Sequence, residues 1–523
     1  MGKIVRLGIK EYCPDMPVTG AGVTSVALNV MPLTQESYGP ISSFLAYSTS
    51  PLPARCQGAY GGIDPAGNVS VFAGTATDLY QMQVGATTFT NVSKSVGAYT
   101  CPADEFWSFT LFNQRAIACN IVDPVQTFVL GTDTKFSDLS PDAPKARYAT
   151  TSKNFLILAN TADPIGGEAP WRVWWSGLGD PTSWPTPGSS AAAAAQSDYN
   201  DTFGEGGQIT GLIGNLGTAD AAVFFEHAVW RMIYVGPPAV FNFVSAEGVR
   251  GTSAPNSIVQ LGAVCFYLGE DGFYMFDGTN SVPIGAHKVD KTFFADIDAS
   301  GMPRVTGAVD PLNKLVMWAY PGAGNANLNP NKVIIYNWTT QRWAIAEITL
   351  ELIFRAFTFG YTLDGLDVTG YNMETLPFSL DSRVWAKGQV LLGGFDTSHN
   401  LGYLTGPNLA ATVETEEVNP FVGQRSFIRN TRPITDVSYG TIPSPLAGVS
   451  VAIGTRDVLN TSPLGPDTTP TVTYTTAVDV NSLGTCPQRA SGRFFRARIA
   501  TRAAATFSHI QGVEVDCDAL GVR

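Results

Sequence analysis

Apolar and aromatic residues along this chain come in short runs, each broken after a few positions by glycine, asparagine, aspartate or proline. Between Gly262 and Gly278 the run AVCFYL meets Glu270-Asp271-Gly272, and FYMF then meets Asp277-Gly278. Strand, tight turn, strand, turn is the local pattern of a β-hairpin. Comparable units lie at Val69–Tyr80, Phe106–Asn120, Phe155–Trp175, Ile209–Tyr234, Val259–Ile284, Val305–Ile345 and Val384–Leu404. Successive units begin roughly 35–55 residues apart, with a wider last gap that holds ELIFRAFTFG, and a four-stranded propeller blade takes about 40–50 residues. The spacing predicts an all-β chain with a β-propeller of about six or seven blades over residues 51–407. A large sandwich or jelly roll would also give short strands and glycine turns, and spacing alone favours the propeller. No Trp-Asp or Gly-His signature recurs, so these are not WD40 or kelch repeats.

Helical signal is scarce. Ser189 and Ser190 offer an N-cap before Ala191–Ala195, but five alanines are too few for an isolated helix, so this stretch reads as a loop or a single turn between blades. Around Gly406 the texture changes. ATVETEEVNPFVGQRSFIRNTRPITDV brings Glu414, Glu416 and Glu417, then Arg425, Arg429 and Arg432. The later runs VSVAIGTRDVL, TVTYTTAVDV and RFFRARIATRA place charges two residues apart, on one face of a strand. These features predict a second β-domain, a sandwich or small barrel, over residues 408–523.

Composition narrows the function classes. The 523 residues are 44% hydrophobic and 15% charged, against about 25% charged for an average chain. A disordered protein and a charge-laced coiled coil are excluded. Thirty-two basic against 44 acidic residues give a net charge of −12, which disfavours a generic duplex-DNA binder. The charge is uneven: Arg425–Arg523 holds 10 arginines, no lysine and 7 acids, a balance of +3, so the rest carries −15. No apolar run near Met1 suits a signal peptide, and no stretch approaches a membrane span. Seven scattered cysteines, never in CxxC spacing, point to folding in a reducing compartment. The sequons at Asn91 and Asn337 then read as chance.

A search for chemistry finds little. His227, His287, His399 and His509 lie in no HExxH motif and at no zinc-finger spacing to cysteine, and no phosphate loop, dinucleotide fingerprint or nucleophile elbow is present. Asp296, Asp298 and Ser300 begin like an EF-hand loop, but Arg304 and Gly307 stand at its ninth and twelfth positions, where the bidentate glutamate is missing. A looser cation site stays open there. Trp171, Trp174, Trp175 and Trp184 could line a sugar site, yet no Asp box repeats, and Asp180 reads as a turn cap. The expectation is no catalytic residue, no cofactor and no metal site. Five arginines, Arg489, Arg493, Arg496, Arg498 and Arg502, form the strongest charge feature. They suit an acidic partner surface or phosphate, or equally a solvated strand edge protected by charge.

Several segments, taken in order, resemble the tail nozzle proteins of short-tailed bacteriophages, also called tail tubular protein B or packaged-DNA stabilisation proteins. They are VFAGTATDLYQM (Val71–Met82), NQRAIACNIVDPVQTF (Asn113–Phe128), VWWSGLGDPTSW (Val173–Trp184), YLGEDGFYMFDG with IGAHKVDKTFF (Tyr267–Phe294), KVIIYNWTTQRWA (Lys332–Ala344), LLGGFDTSHNLGYLTG (Leu391–Gly406) and the ending from Gly492. The resemblance implies a homohexameric ring or tube below the portal and adaptor, retaining packaged double-stranded DNA and conducting it at ejection. It implies a propeller plus a platform, with residues 1–50, including NVMPLTQESYGPISSF (Asn29–Phe44), joining the C-terminal region in the platform. It also implies a place in the virion tail after synthesis in the host bacterial cytoplasm, and contact with tail fibre, spike or needle proteins. Arg489, Arg493, Arg496 and Arg498 are then expected at a subunit or adaptor interface. A propeller glycan hydrolase and a receptor- or glycan-binding virion protein are the alternative readings.

Overall fold

The computed structural model describes residues 3–17, 22–204, 206–325, 327–359, 388–437, 448–458 and 472–521. Half of it is strand and 5% is helix. Each apolar run of the sequence becomes one strand, and each Gly/Asn/Asp turn folds the next strand antiparallel beside it. Gly262, at φ +60°, joins Val259–Leu261 to Val264–Leu268 in a conformation that a side chain would strain.

Seven four-stranded units result among the described residues. Their first strands are Ala59–Ile63, Ser108–Phe112, Lys145–Ser152, Ile209–Leu216, Val259–Leu261, Thr306–Asp310 and Leu352–Phe357. The start of the last hairpin unit, at Val384, lies outside the described residues. The first strands touch in succession, the short turn Pro255–Ser257 bridges the fourth to the fifth unit, and the seventh meets the first. This is a closed propeller-like ring. Gly214 shows how near the inner strands come: a Cβ there would sit 2.2 Å from the Thr151 carbonyl oxygen of the preceding blade. The second strand of a blade is covered on both faces, as in Leu315–Tyr320, where every residue is buried. That explains unbroken apolar runs where a half-exposed strand would alternate. Between the third and fourth blades Phe155, Val173 and Trp175 pack with Val223, Met232 and Phe241.

The seventh unit takes three strands from Leu352 to Tyr403 and its fourth, Leu45–Ala46, from near the N-terminus, with Leu45 opposite Tyr403. The sixth does not stop at four. Its outer strand Arg342–Ala346 pairs in parallel with Ala27–Leu28, which pairs in turn with Thr412–Glu414. Phe494–Thr501 and Val449–Arg456 follow, making a ten-stranded sheet. A second sheet holds Cys486–Gly492, Arg425–Thr435, Ile510–Gly521, the edge strand Lys3–Gly8 and the hairpin Val30–Thr34 with Ser37–Pro40. Val451, Ile453, Phe495 and Ile499 of the first sheet share one core with Ile428, Cys486, Val513 and Val515 of the second. Strands from both ends of the chain thus build this β-sandwich.

The alanine run forms a six-residue helix, Ser190–Ala195. Ser189 Oγ accepts from the Ala192 N–H at 3.1 Å, and Ala192 is buried, so a cap and packing sustain what propensity alone would not. The EF-hand-like stretch is a 3-10 helix, Ala299–Arg304, capped by Asp298. Asp296 instead pairs with Lys332 at 2.7 Å and accepts from Tyr320. Asp180 accepts from the Thr182 N–H and hydroxyl in a turn beneath Trp184. No helix among the described residues is long and apolar enough to cross a membrane.

Candidate assembly interface

The four arginines expected at an interface lie on two consecutive strands, and side-chain parity decides where each one points. In Cys486–Gly492, buried and exposed residues alternate, and Arg489 stands outward with Pro487 and Ser491. In Phe494–Thr501, Phe495, Ala497 and Ile499 point into the core while Arg496 and Arg498 point out. The two strands belong to different sheets of the sandwich, so outward means opposite sides. The run of arginines that is dense in sequence is therefore split, with Arg489 on one face, Arg496 and Arg498 on the other, and Arg493 half-buried at the crossing.

Arg496 and Arg498 converge on one carboxylate. Glu414, only 2% exposed, takes Arg498 Nε at 2.8 Å and lies 3.4 Å from Arg496 Nη1. Tyr474 donates its phenol to Oε1 at 2.6 Å, Ser25 donates its hydroxyl to Oε2 at 2.8 Å, and the Arg498 guanidinium lies 4.0 Å from the centre of the Tyr474 ring. Burial pushes the Glu414 carboxyl up, but the hydrogen bonds from Tyr474 and Ser25 and the charge of Arg496 together hold it below the usual carboxylate range. The rest of the acidic patch is also matched: Glu417 pairs with Arg456 at 2.5 Å and Glu416 with Lys10 at 3.9 Å. On the other face Arg429 pairs with Asp518, and Arg432 with Glu514 at 3.9 Å. Arg498 remains 42% exposed, so it is a pre-positioned fork with one edge in solvent. Its exposed edge can take a planar acceptor, a carboxylate or a phosphate, on a second surface.

A second feature comes from residues that are unremarkable in sequence. At the propeller axis lies a cavity of about 320 Å³, bordered by all seven blades. Phe109, Tyr148, Leu212, Ile258 and Phe354 supply apolar wall, and Asp104, Glu105 and Arg147 supply charge. Arg147 pairs with Glu105 at 3.1 Å, and Arg304 with Asp104 at 3.5 Å. No spacing rule could have grouped these residues, because they come from inner strands and loops of different blades.

Three of the four histidines are engaged within the fold. His399 Nδ1 lies 2.6 Å from Glu351, His227 Nδ1 the same distance from Glu270, and His509 Nδ1 3.0 Å from the Ser37 hydroxyl. Among the described residues no group of three or more His, Cys, Asp or Glu side chains is arranged to hold a metal ion.

No protein-family model matches the chain, and no curated protein matches it. Among solved structures the chain is similar to one described as the extracellular domain of a one-component system from B. thetaiotaomicron, at 11% identity and a TM-score of 0.29. The match covers 56% of this chain and 35% of that one, so the chain spans about a third of that structure's length.

Proposed function

We propose that this chain is the tail nozzle subunit of a short-tailed bacteriophage. Six copies would form a ring below the portal and adaptor, retain packaged DNA and conduct it during ejection. The ordered run of resembling segments from Val71 to the C-terminal region motivates the family. The structural observation that supports a mechanical role is the ten-stranded sheet, which makes the outer strand of the sixth blade and the sandwich one hydrogen-bonded body. A part that must hold its place between a head and a tail gains from having no hinge at that junction. The axial cavity, at about 320 Å³, is of small-ligand size, so a duplex would pass between copies and not through a propeller.

In this reading Arg489, Arg493, Arg496 and Arg498 lie at contacts with a neighbouring copy or the adaptor, and fibre, spike or needle proteins dock elsewhere on the ring. The subunit works in the virion tail after synthesis in the host cytoplasm. Negative-stain imaging of the purified full chain tests this, and six-fold rings are the expected result. Monomers or trimers with saturable glycan binding would favour a receptor-binding role. Glycan turnover lost on replacing a single acid would make the protein a hydrolase.

A further inference from the structure

An open edge strand offers unpaired N–H and C=O groups to any extended chain, so proteins keep such edges short, charged, proline-bearing or covered. Six of the seven blades follow this rule. The outer strands of the first, second and seventh, Thr90–Asn91, Ser137–Asp138 and Leu45–Ala46, have two residues each. That of the third, Asp198–Asp201, has an aspartate at each end, that of the fifth, Ser281–Pro283, ends in proline, and that of the sixth runs on into the sandwich. The fourth blade is the exception. Its outer strand, Val240–Glu247, is eight residues long, holds no lysine, arginine or proline, and ends its sheet among the described residues.

Backbone alternation decides what that edge presents. The Phe225 N–H donates to the Ala228 carbonyl and the Tyr234 N–H to Asp220 Oδ2, so Trp230, Met232 and Tyr234 turn their backbone groups toward the second strand of the blade. Arg231 and Ile233 therefore bond Val244 and Asn242 of the outer strand, and the N–H and C=O groups of Phe243 and Ser245 point out of the blade. Bulges lie at both ends of this pairing, and Phe241–Ser245 runs regularly between them. The sandwich has an open edge too. Lys3–Gly8 borders its second sheet, paired among the described residues with Ile510–Gly521 alone. The Ile9 N–H donates to the Gln511 carbonyl, so Lys3, Val5 and Leu7 bond that strand while Ile4 and Arg6 turn their backbone groups away. The Gly8 carbonyl, on the same side, already accepts from the Glu416 N–H, which leaves Lys3–Leu7 as the open stretch. Ile4 is 71% exposed there.

We propose, resting on the six-copy reading, that Lys3–Leu7 of one copy adds as a fifth strand to the fourth blade of the next, along Phe241–Ser245. The two stretches are matched in length, five residues each. Their charges are opposite. Lys3 and Arg6 supply +2, whereas the blade, Ile209–Glu247, has Arg231 against Asp220, Glu226 and Glu247, a balance of −2. Ile4 comes within reach of the half-buried Phe243 and Val244, and cross-strand pairs of β-branched and aromatic side chains favour pairing. The two edges differ from one another and lie on different parts of the chain, so the contact is head-to-tail and repeats around a ring. The fold itself contains one such joint, where the outer strand of the sixth blade takes Ala27–Leu28 beside it.

Sedimentation of full-chain variants tests the pairing. Proline is tolerated where an edge N–H faces solvent, and there it blocks the addition of a further strand. Ser245→Pro and Arg6→Pro should each keep the far-ultraviolet spectrum yet sediment as monomers at concentrations where the wild type assembles. Ser245→Lys and Arg6→Glu, which add or reverse a charge without altering the backbone, should weaken assembly by about tenfold or more. An equimolar mixture of the two proline variants should form dimers and nothing larger, because each copy retains the edge that the other has lost. Misfolding cannot produce that complementation. Rings that persist in both proline variants would overturn the strand pairing and leave the six-copy reading standing. Dimers of Arg6→Pro alone would also overturn it, since blade edges would then pair with each other. A wild type that stays monomeric would refute the pairing and the six-copy reading together. Closed rings of another number, lost in both variants and reduced to dimers in the mixture, would uphold the pairing and refute six-fold symmetry.

Discussion

Glu414 takes hydrogen bonds from Ser25, Tyr474 and Arg498 in nearly complete burial, so its charge is supported from several directions. Removing one partner of a buried ion pair costs about 3–5 kcal/mol, and the exposure of Arg498 to solvent lowers that figure here. Glu414→Gln is expected to reduce the unfolding free energy by about 1–3 kcal/mol in urea titration. A loss within about 0.5 kcal/mol would mean that water already carries the arginines. Asp290 presents the opposite case. Burial, and behind it the charges of Asp15 and Asp271, raises its carboxyl to about 7, although the Phe273 N–H partly offsets this. A carboxyl raised in the folded state binds more protons there than in the unfolded chain, so it costs stability as pH climbs from about 4 to 7. Asp290→Asn keeps an acceptor for Phe273 and removes the titration. Its melting temperature relative to wild type should therefore rise between pH 5 and pH 8, and parallel pH profiles would refute the assignment. Both the acidic patch and the arginine run are visible in the sequence, and so is the alternation within each strand. Which sheet each strand joins is not visible. For that reason the split of Arg489 from Arg496 and Arg498, and their convergence on Glu414, emerge only in three dimensions.

At the scale of elements, legibility follows sequence distance. A hairpin such as Val264–Leu268 with Phe273–Phe276 is encoded by adjacent apolar runs and the turn between them, so the blades can be read locally. The strand that completes the seventh unit cannot. Leu45–Ala46 is two residues long, too short for any periodicity, and its partner Leu401–Tyr403 lies far along the chain. The axial site is hidden for a related reason: Arg147 meets Glu105 across successive blades, and Arg304 meets Asp104 only once the sixth blade comes round to the second. This closure can be probed at Gly402, where a Cβ would stand 2.3 Å from the Leu45 carbonyl oxygen. Gly402→Val should displace the N-terminal strand and lower the melting temperature by several degrees. It should also speed exchange of the Tyr47 and Ser48 amides, both of which donate to the Leu401 carbonyl. Protected amides in a variant of unchanged melting temperature would show that the seventh blade stands without its fourth strand.

At the scale of the whole molecule, charge and function meet. A conduit must let DNA pass without gripping it, and each free lysine or arginine on a phosphate adds affinity through counterion release. In the sandwich, which carries the one basic stretch of the chain, that grip is largely pre-empted. Arg496 and Arg498 face Glu414, Arg456 faces Glu417, and Arg429 and Arg432 face Asp518 and Glu514. Six copies at −12 each would carry about −72, a field that repels duplex at long range. We therefore expect no binding of duplex DNA by the purified protein at physiological salt, and a channel wall dominated by acidic and neutral polar side chains. The sign of the salt effect is the decisive readout. For a DNA-binding protein, affinity climbs as salt is removed. For a six-copy ring of this chain, dilution to about 10 mM would lengthen the screening distance to about 30 Å and deepen the repulsion. Gel-shift titrations across that range should stay blank at micromolar protein. A complex that tightens steadily as salt falls would instead mean that unpaired arginines line the passage, and the ring's task would be to hold DNA in place more than to release it.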